Sequence, residues 1–156
     1  MREIKFRAWD GDNSEMIGPE YDGDEYILTV EYGRTVLLEL HLEGELQNPV
    51  YRPANAEIMQ YTGLKDSNGV EICEGDIVEF TYWWFDGNAA ESQLTGEIVY
   101  LTDCMSFGLK GVKNKEWLAH IGGSDSDTAA FATWLFEGAD FSVLGNIHES
   151  PELLPQ

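Results

Sequence analysis

The sequence has 156 residues, a length that fits one domain with a sizeable hydrophobic core. It carries 9 Lys and Arg against 29 Asp and Glu, a formal net charge of −20 at pH 7, which argues against sequence-independent binding to phosphate backbones. Hydrophobic residues make up 43% of the chain, too many for an intrinsically disordered protein. We therefore expect a folded protein that does not bind nucleic acid directly.

The first third of the chain predicts β-strands. Residues 3–9 alternate apolar and polar side chains, the pattern of a half-buried strand, and a turn follows. Residues 26–30 and 35–42 are rich in β-branched and aromatic side chains around a short turn, which predicts a hairpin. Pro49 and Pro53 lie in a segment, residues 46–54, that we expect to separate an N-terminal hairpin unit from the rest.

The remaining sequence predicts a series of strands and one helix. Alanines between an N-cap at Ser126 or Asp127 and a terminating Gly138 predict a short helix over 126–137. The predicted fold is mainly β, with a small barrel-like core, SH3-like or similar, over 55–156 and the hairpin unit over 1–48. The candidate strands cover residues 56–62, 77–85, 96–102, 105–109, 117–121 and 141–147.

The N-terminal ten residues lack the apolar stretch of a secretory leader. The longest uncharged apolar run, residues 128–136, is too short to cross a membrane. We therefore expect a cytoplasmic protein that does not enter membranes. Cys73 and Cys104 have neither zinc-site nor disulfide-framework spacing, so we interpret both as reduced small hydrophobic residues.

Motifs for metal binding and catalysis are incomplete or missing in the sequence. Residues 10–15 begin like a calcium loop, but Glu15 replaces the required glycine and Tyr21 replaces the last acidic ligand. His41, His120 and His148 are too far apart for a metal-ligand motif. The sequence contains no G-x-S-x-G elbow, phosphate-binding loop or dinucleotide fingerprint. We predict no metal, no cofactor, no catalytic residues and no enzymatic activity.

Three separated blocks of sequence carry a family resemblance. They are MREIKFRAWD at 1–10, IMQYTGLKDSNGVEICEGDIV at 58–78 and FSVLGNIHESPELL at 141–154. Together they resemble the YopX-like family of phage and prophage proteins, whose members share a QYTGLKD-x-NG-x-EI-x-EGDIV core and a closing GNI-x-E-x-PEL segment. The resemblance implies a single YopX-like domain over 1–156, a mainly β fold, and a phage-encoded accessory protein in the cytoplasm of a bacterial host.

The central acidity of the chain is the strongest functional signal. Residues 66–109 contain nine acidic residues and no Lys or Arg. Surface scaling gives the whole protein one net charge per ~400 Å², against one per ~110 Å² for duplex DNA. The protein could therefore imitate DNA only where carboxylates gather on one face. The negative charge either forms such a binding face or only keeps the protein soluble.

Four consecutive aromatic residues, 82–85, add a second signal. Alternation along a strand places Tyr82 and Trp84 on one face and Trp83 and Phe85 on the other. A small barrel has one interior, so the Tyr82 face is either covered within the chain by the predicted helix or the N-terminal hairpin or contacts a partner. The predicted partner-binding residues are Tyr82, Trp84, Asp66, Glu71, Glu74, Glu79, Asp86 and Glu91.

These observations favour a non-enzymatic, phage-encoded protein that binds a host or phage protein. Its acidic surface suggests a nucleic-acid-handling partner, as in anti-restriction, anti-CRISPR or polymerase-inhibitor proteins. Two alternatives stay open. The first is a protein that binds or hydrolyses a small molecule or nucleotide in a barrel mouth. The second is a self-assembling structural protein, which would be a homo-oligomer.

Overall fold

The computed structural model describes residues 3–18, 25–31, 34–45, 47–85, 89–113, 128–130 and 140–154. For residues 30–31, 82–85, 89–92, 113 and 129 it describes the backbone alone. The chain forms two compact units, Met1–Tyr61 and Thr62–Gln156, called unit 1 and unit 2 below. The boundary falls inside a strand, not in the 46–54 segment that the sequence suggested.

Unit 1 is built from antiparallel strands. The alternating residues near the N-terminus form a strand that pairs with one antiparallel strand on each side. Its buried Ala8 packs with Ile17 and Leu37. The predicted hairpin is confirmed, with Tyr26 opposite Glu39 at its open end. The strands are β1 (Phe6–Asp10), β2 (Glu15–Ile17), β3 (Tyr26–Glu31), β4 (Arg34–Glu43), β5 (Asn48–Pro53) and the first part of β6 (Ala56–Lys65).

The expected separator at 46–54 is instead mostly strand β5, which pairs with β4. Its two prolines fit the edge of a sheet because proline has no backbone N–H to donate to a neighbouring strand. The Ala54 N–H donates to the Leu37 carbonyl of β4. Because the direction of the backbone N atoms alternates along a strand, those of residues 49, 51 and 53 point away from β4. Pro49 and Pro53 therefore lose no hydrogen bond to the sheet.

Among the described residues, unit 2 contains a five-stranded antiparallel sheet in the order Thr128–Ala130, Ser106–Lys113, Ala89–Leu101, Asp76–Phe85 and Asp140–Asn146. One face buries an apolar cluster around Phe80, Leu94 and Ile98, with Phe80 and Phe141 ring centroids 5.7 Å apart. The protein is mainly β with a curled, half-barrel sheet, which confirms the predicted fold class. The strands are β7 (Glu71–Cys73), β8 (Asp76–Phe85), β9 (Ala89–Leu101), β10 (Ser106–Lys113), β11 (Thr128–Ala130) and β12 (Asp140–Asn146), followed by a 3-10 turn at Pro151–Leu153.

The predicted helix over 126–137 is wrong at Thr128–Ala130. These residues form β11, which pairs with β10 through Ala129 opposite Leu109. Strand pairing therefore overrides the helix propensity of alanine there. The rest of the predicted helix, like the predicted strand at 117–121, lies outside the described residues. Cys73 is buried as expected, whereas Cys104 is exposed.

Candidate functional site

The loop between β6 and β7 is organised by the carboxylate of Asp66. This side chain is only 8% exposed. It accepts hydrogen bonds from the backbone N–H groups of Asn68 (2.8 Å), Val70 (2.8 Å) and Val143 (3.2 Å). Gly69 completes the turn with a φ of 85°, which an L-residue adopts only with strain. The Asp-Ser-Asn-Gly sequence is thus a turn held by its first carboxylate.

Hydrogen bonding decides the charge state of this carboxylate. Burial alone would raise the pKa of Asp66, but hydrogen bonds from the backbone of Val70, Val143 and Asn68 outweigh it and hold the pKa below its ordinary value. Asp66 is therefore ionised at neutral pH, with its charge directed at the backbone of its own loop and of Val143 in β12.

The second and third sequence blocks of the resemblance are joined by direct hydrogen bonds. The Ser67 N–H donates to the Phe141 carbonyl (2.9 Å), and the Ile147 N–H donates to the Gly75 carbonyl (2.9 Å). Asp76, itself buried, accepts from the Cys73 N–H at 2.7 Å. The polar residues of these blocks therefore hold loops together, as their turn chemistry predicts.

Asn146 closes the third block with a similar turn. Its side-chain oxygen accepts hydrogen bonds from the backbone N–H groups of His148 (3.0 Å) and Glu149 (2.9 Å). Its amide group donates to the Glu149 carboxylate. The polar residues of the GNI-x-E segment thus satisfy one another before the 3-10 turn begins.

The calcium-like segment of unit 1 has the same construction. The buried Asp10 carboxylate accepts from the N–H groups of Asp12 (2.9 Å) and Asn13 (3.2 Å), and from the Tyr26 hydroxyl (3.0 Å). Donors thus occupy the oxygens that a metal would need. Within the part of the chain that the structure describes, no group of three or more His, Cys, Asp or Glu side chains could hold a metal ion.

The pKa shifts in this loop agree with its hydrogen bonds. Burial would raise the pKa of Asp10, but the hydrogen bonds from Asn13, Asp12 and Tyr26 lower it overall. Burial and hydrogen bonds to Glu15 and Asp10 raise the pKa of the Tyr26 hydroxyl. Tyr26 therefore stays protonated and acts as a donor, fixing β3 against the β1–β2 loop.

Unit 2 carries an acidic sheet face on the side opposite its apolar cluster. We define this face by Asp140, Glu79, Glu97 and Lys110. The register sets Asp140 opposite Thr81, and Glu97 opposite both Ile77 and Lys110. Glu79 therefore has Asp140 and Glu97 as diagonal neighbours, at about 7–8 Å between Cα atoms. A row of three carboxylates runs across β12, β8 and β9 and ends at one lysine.

The charges in this row are only partly compensated. Lys110 Nζ lies 3.9 Å from Glu97 Oε2, and the lysine side chain is half exposed. Asp140 is exposed and Glu79 is half-buried. The Glu97 side chain is 20% exposed, and an ion pair of this length in contact with water contributes little attraction. Among the described residues the face therefore keeps excess negative charge at Asp140 and Glu79, while Ile77, opposite Glu97, is fully buried.

The structure gives the predicted partner-binding residues different positions. Asp66 faces its own loop, whereas Glu79 lies on the acidic sheet face. Glu71 Oε1 is 3.8 Å from Lys65 Nζ, and Glu74 is half-buried in the turn before β8. The side chains of Tyr82, Trp84 and Glu91, and the whole of Asp86, lie outside the described residues.

The sequence interpretation missed two members of this row, Glu97 and Asp140. Both are separated from Glu79 by many residues and become its neighbours only through strand pairing. Alternation indicates which face of a strand a residue occupies, but register between distant strands is set by tertiary packing. Pairings of the 77–85 candidate strand with both the 96–102 and the 141–147 candidate strands would have been needed to find them.

These turns and sheets define a mainly β protein whose shared motifs stabilise loops. The chain belongs to the YopX protein family, whose model matches residues 5–155. It is also similar to protein EF1440 from Enterococcus faecalis, known from a crystal structure, with 26% sequence identity, a TM-score of 0.50 and coverage of 99% of this chain and 100% of that one. No curated protein matches the sequence.

None of the helices among the described residues is long and apolar enough to span a membrane.

Proposed function

We propose that this protein is a non-enzymatic accessory protein that binds a basic surface of another protein through its acidic sheet face. The observation that carries the proposal is the row of Asp140, Glu79 and Glu97 across three neighbouring strands, within a chain of net charge −20. A local excess of one sign steers a partner of the opposite sign and raises its association rate.

The overall charge density supports a local surface over imitation of DNA by the whole molecule. The exposed area of 10002 Å², divided by 20 net charges, gives one per about 500 Å². Duplex DNA carries one per ~110 Å². A nucleic-acid-handling protein of phage or host is the partner that fits, because its basic binding surface complements the row. The same charge opposes direct binding of nucleic acid by this chain.

The use of the shared motif residues supports a role without catalysis. Backbone N–H groups of nearby loops donate to the side-chain oxygens of Asp66, Asp76 and Asn146. A general acid or base instead needs a carboxyl directed at a substrate. We propose that the motifs maintain the scaffold and that binding residues lie on the sheet. The resemblance adds a bacterial cytoplasmic setting to this proposal.

Charge neutralisation on the sheet tests the proposal. A Glu79→Gln, Glu97→Gln, Asp140→Asn triple variant removes three charges from the acidic sheet face. A matched control, Glu3→Gln, Glu45→Gln, Glu57→Gln, removes three from exposed positions of unit 1. Each tagged full chain is used to capture proteins from bacterial lysate, and captured proteins are quantified by mass spectrometry.

We expect the wild type and the unit 1 control to capture the same basic proteins, and the sheet variant to lose them at least about tenfold. This loss corresponds to about 1.4 kcal/mol. Association with a purified captured protein should slow as salt rises above about 0.15 M, where the Debye length is about 8 Å. Equal loss with both variants would contradict the proposal, because only total charge would matter.

A further inference from the structure

The sheet formed by β3, β4 and β5 has one apolar face. Register and alternation bring Val36, Leu38, Leu40 and Leu42 of β4 to the same side as Ile27 and Tyr51. These six residues are called the apolar face. The buried Leu37 belongs to the other side, where it packs within unit 1.

Half of the apolar face is exposed in the part of the chain that the structure describes. Leu42 is 57% exposed, Ile27 41% and Tyr51 40%. The three remaining residues are half-buried. Contiguous apolar surface of this kind on a protein marks an interaction site more often than scattered exposed side chains do.

We propose that the apolar face is the contact between two copies of this chain, which stack sheet against sheet around a twofold axis. This proposal is independent of the acidic sheet face. Because each chain carries a net charge of −20, two copies repel, and a contact through uncharged surface adds the least to that repulsion. The apolar face is such a surface, and a second copy brings the same surface to it.

The charges at the ends of the apolar face favour an antiparallel arrangement. Arg34 begins β4 at one end, and Glu25, whose carbonyl accepts from the Leu40 N–H, lies at the other. When β4 of one copy crosses β4 of the next in the opposite direction, the Arg34 end of each meets the Glu25 end of the other. A parallel arrangement would set like charges together.

The edge of the sheet at β5 is unfavourable for pairing with an added β-strand. Alternation directs backbone positions 49, 51 and 53 outward, and two of them are proline. Proline has no N–H to donate to an incoming strand. Stacking on the face requires no hydrogen bonds from this edge.

The size of the face predicts a reversible dimer. Three strands about 4.8 Å apart and about seven residues long offer a footprint of roughly 350 Å² per copy. A pair would bury on the order of 700–1,000 Å² of accessible surface, which is below the ~1,200 Å² of stable specific interfaces and in the range of weak, transient ones. We expect a dissociation constant on the order of 1–100 µM.

Two neighbouring residues of β5 provide a matched test. Tyr51 lies on the apolar face, and Val50, 36% exposed, lies opposite His41 on the other side. Tyr51→Glu and Val50→Glu each add one charge to the same strand at similar exposure. The full-length wild type and both variants are studied by sedimentation velocity between about 1 µM and about 500 µM, with circular dichroism to verify folding.

We expect the wild type and Val50→Glu to dimerise equally, and Tyr51→Glu to dimerise at least about tenfold more weakly. If Tyr51→Glu does not fold, Leu42→Gln, at the most exposed position of the face, takes its place with the same expectation. A wild type that stays monomeric overturns the proposal, as does equal weakening by Val50→Glu. Growth beyond the dimer also overturns it, since a closed twofold contact stops at two copies.

Discussion

Unit 1 and unit 2 use their apolar side chains in different ways. Unit 2 buries large residues such as Phe80, Leu94 and Ile98 in one cluster, and the opposite sheet face carries carboxylates beside the buried Ile77. The fully buried cluster of unit 1 is small, with Ala8, Ile17 and Leu37, and leucines of β4 remain on an outer face. Alternation predicts strands equally well in both units, but it does not tell which apolar face finds a core within the chain.

This difference also predicts opposite responses to salt. Binding through the acidic sheet face of unit 2 depends on attraction between unlike charges, which salt screens. Contact between two apolar faces must overcome repulsion between two chains of −20, and salt screens that repulsion too. Salt should therefore weaken the first association and strengthen the second.

The largest expected difference between the units is in core substitutions. Phe80→Ala should lower the free energy of unfolding by about 3–5 kcal/mol, because a fully buried ring is replaced by a cavity. Leu37→Ala should cost about 2–3 kcal/mol, because several of its neighbours are only partly buried. Urea unfolding followed by circular dichroism measures both costs. Thr81→Ala, at a half-buried position, is the control and should change the free energy of unfolding by less than about 1 kcal/mol. Equal costs for the two core variants would show that the clusters are equally tight.

A smaller effect is expected from glycine substitutions. A Cβ at Gly96 would lie 2.5 Å from Leu109 Cγ and 2.8 Å from the Lys110 carbonyl oxygen. Gly96→Ala should therefore lower the free energy of unfolding by about 1–3 kcal/mol. Gly18→Ala in unit 1, where a Cβ meets nothing within 4 Å, is the control and should change stability by less than about 0.5 kcal/mol. A neutral Gly96→Ala would mean that β9 and β10 can separate without cost.

The aspartate turns predict a shared dependence on pH. The pKa values of Asp66 and Asp10 are lowered in the folded protein. Their contribution to stability is therefore present above the ordinary aspartate pKa of about 3.9 and is lost as pH falls toward the folded values. Asp66→Asn and Asp10→Asn should each be less stable than the wild type at pH 7, and the difference should narrow near pH 3. Urea midpoints at both pH values test this, and a difference that stays constant would contradict it.

Sequence patterns predicted most long strands because alternation reports local burial. They missed β2 and β7, which have three residues each, too few for a periodic signal. They also missed β5, whose prolines are tolerated only because it is an edge. The turn chemistry around Asn68 and Gly69 was predictable from residue type. The burial of Asp66 in this turn was not predictable, because one of its donors, the Val143 N–H, comes from a distant strand.

Sedimentation of the wild-type chain at one high concentration, as salt is raised, tests the contrast between the two surfaces most directly. Between about 0.1 M and about 1 M NaCl the Debye length falls from about 10 Å to about 3 Å. The weight-average mass should rise with salt toward twice the 17.6 kDa of one chain. A mass that falls with salt would show that charge attraction joins the copies, and a mass that stays at one chain would show that the apolar face does not join them.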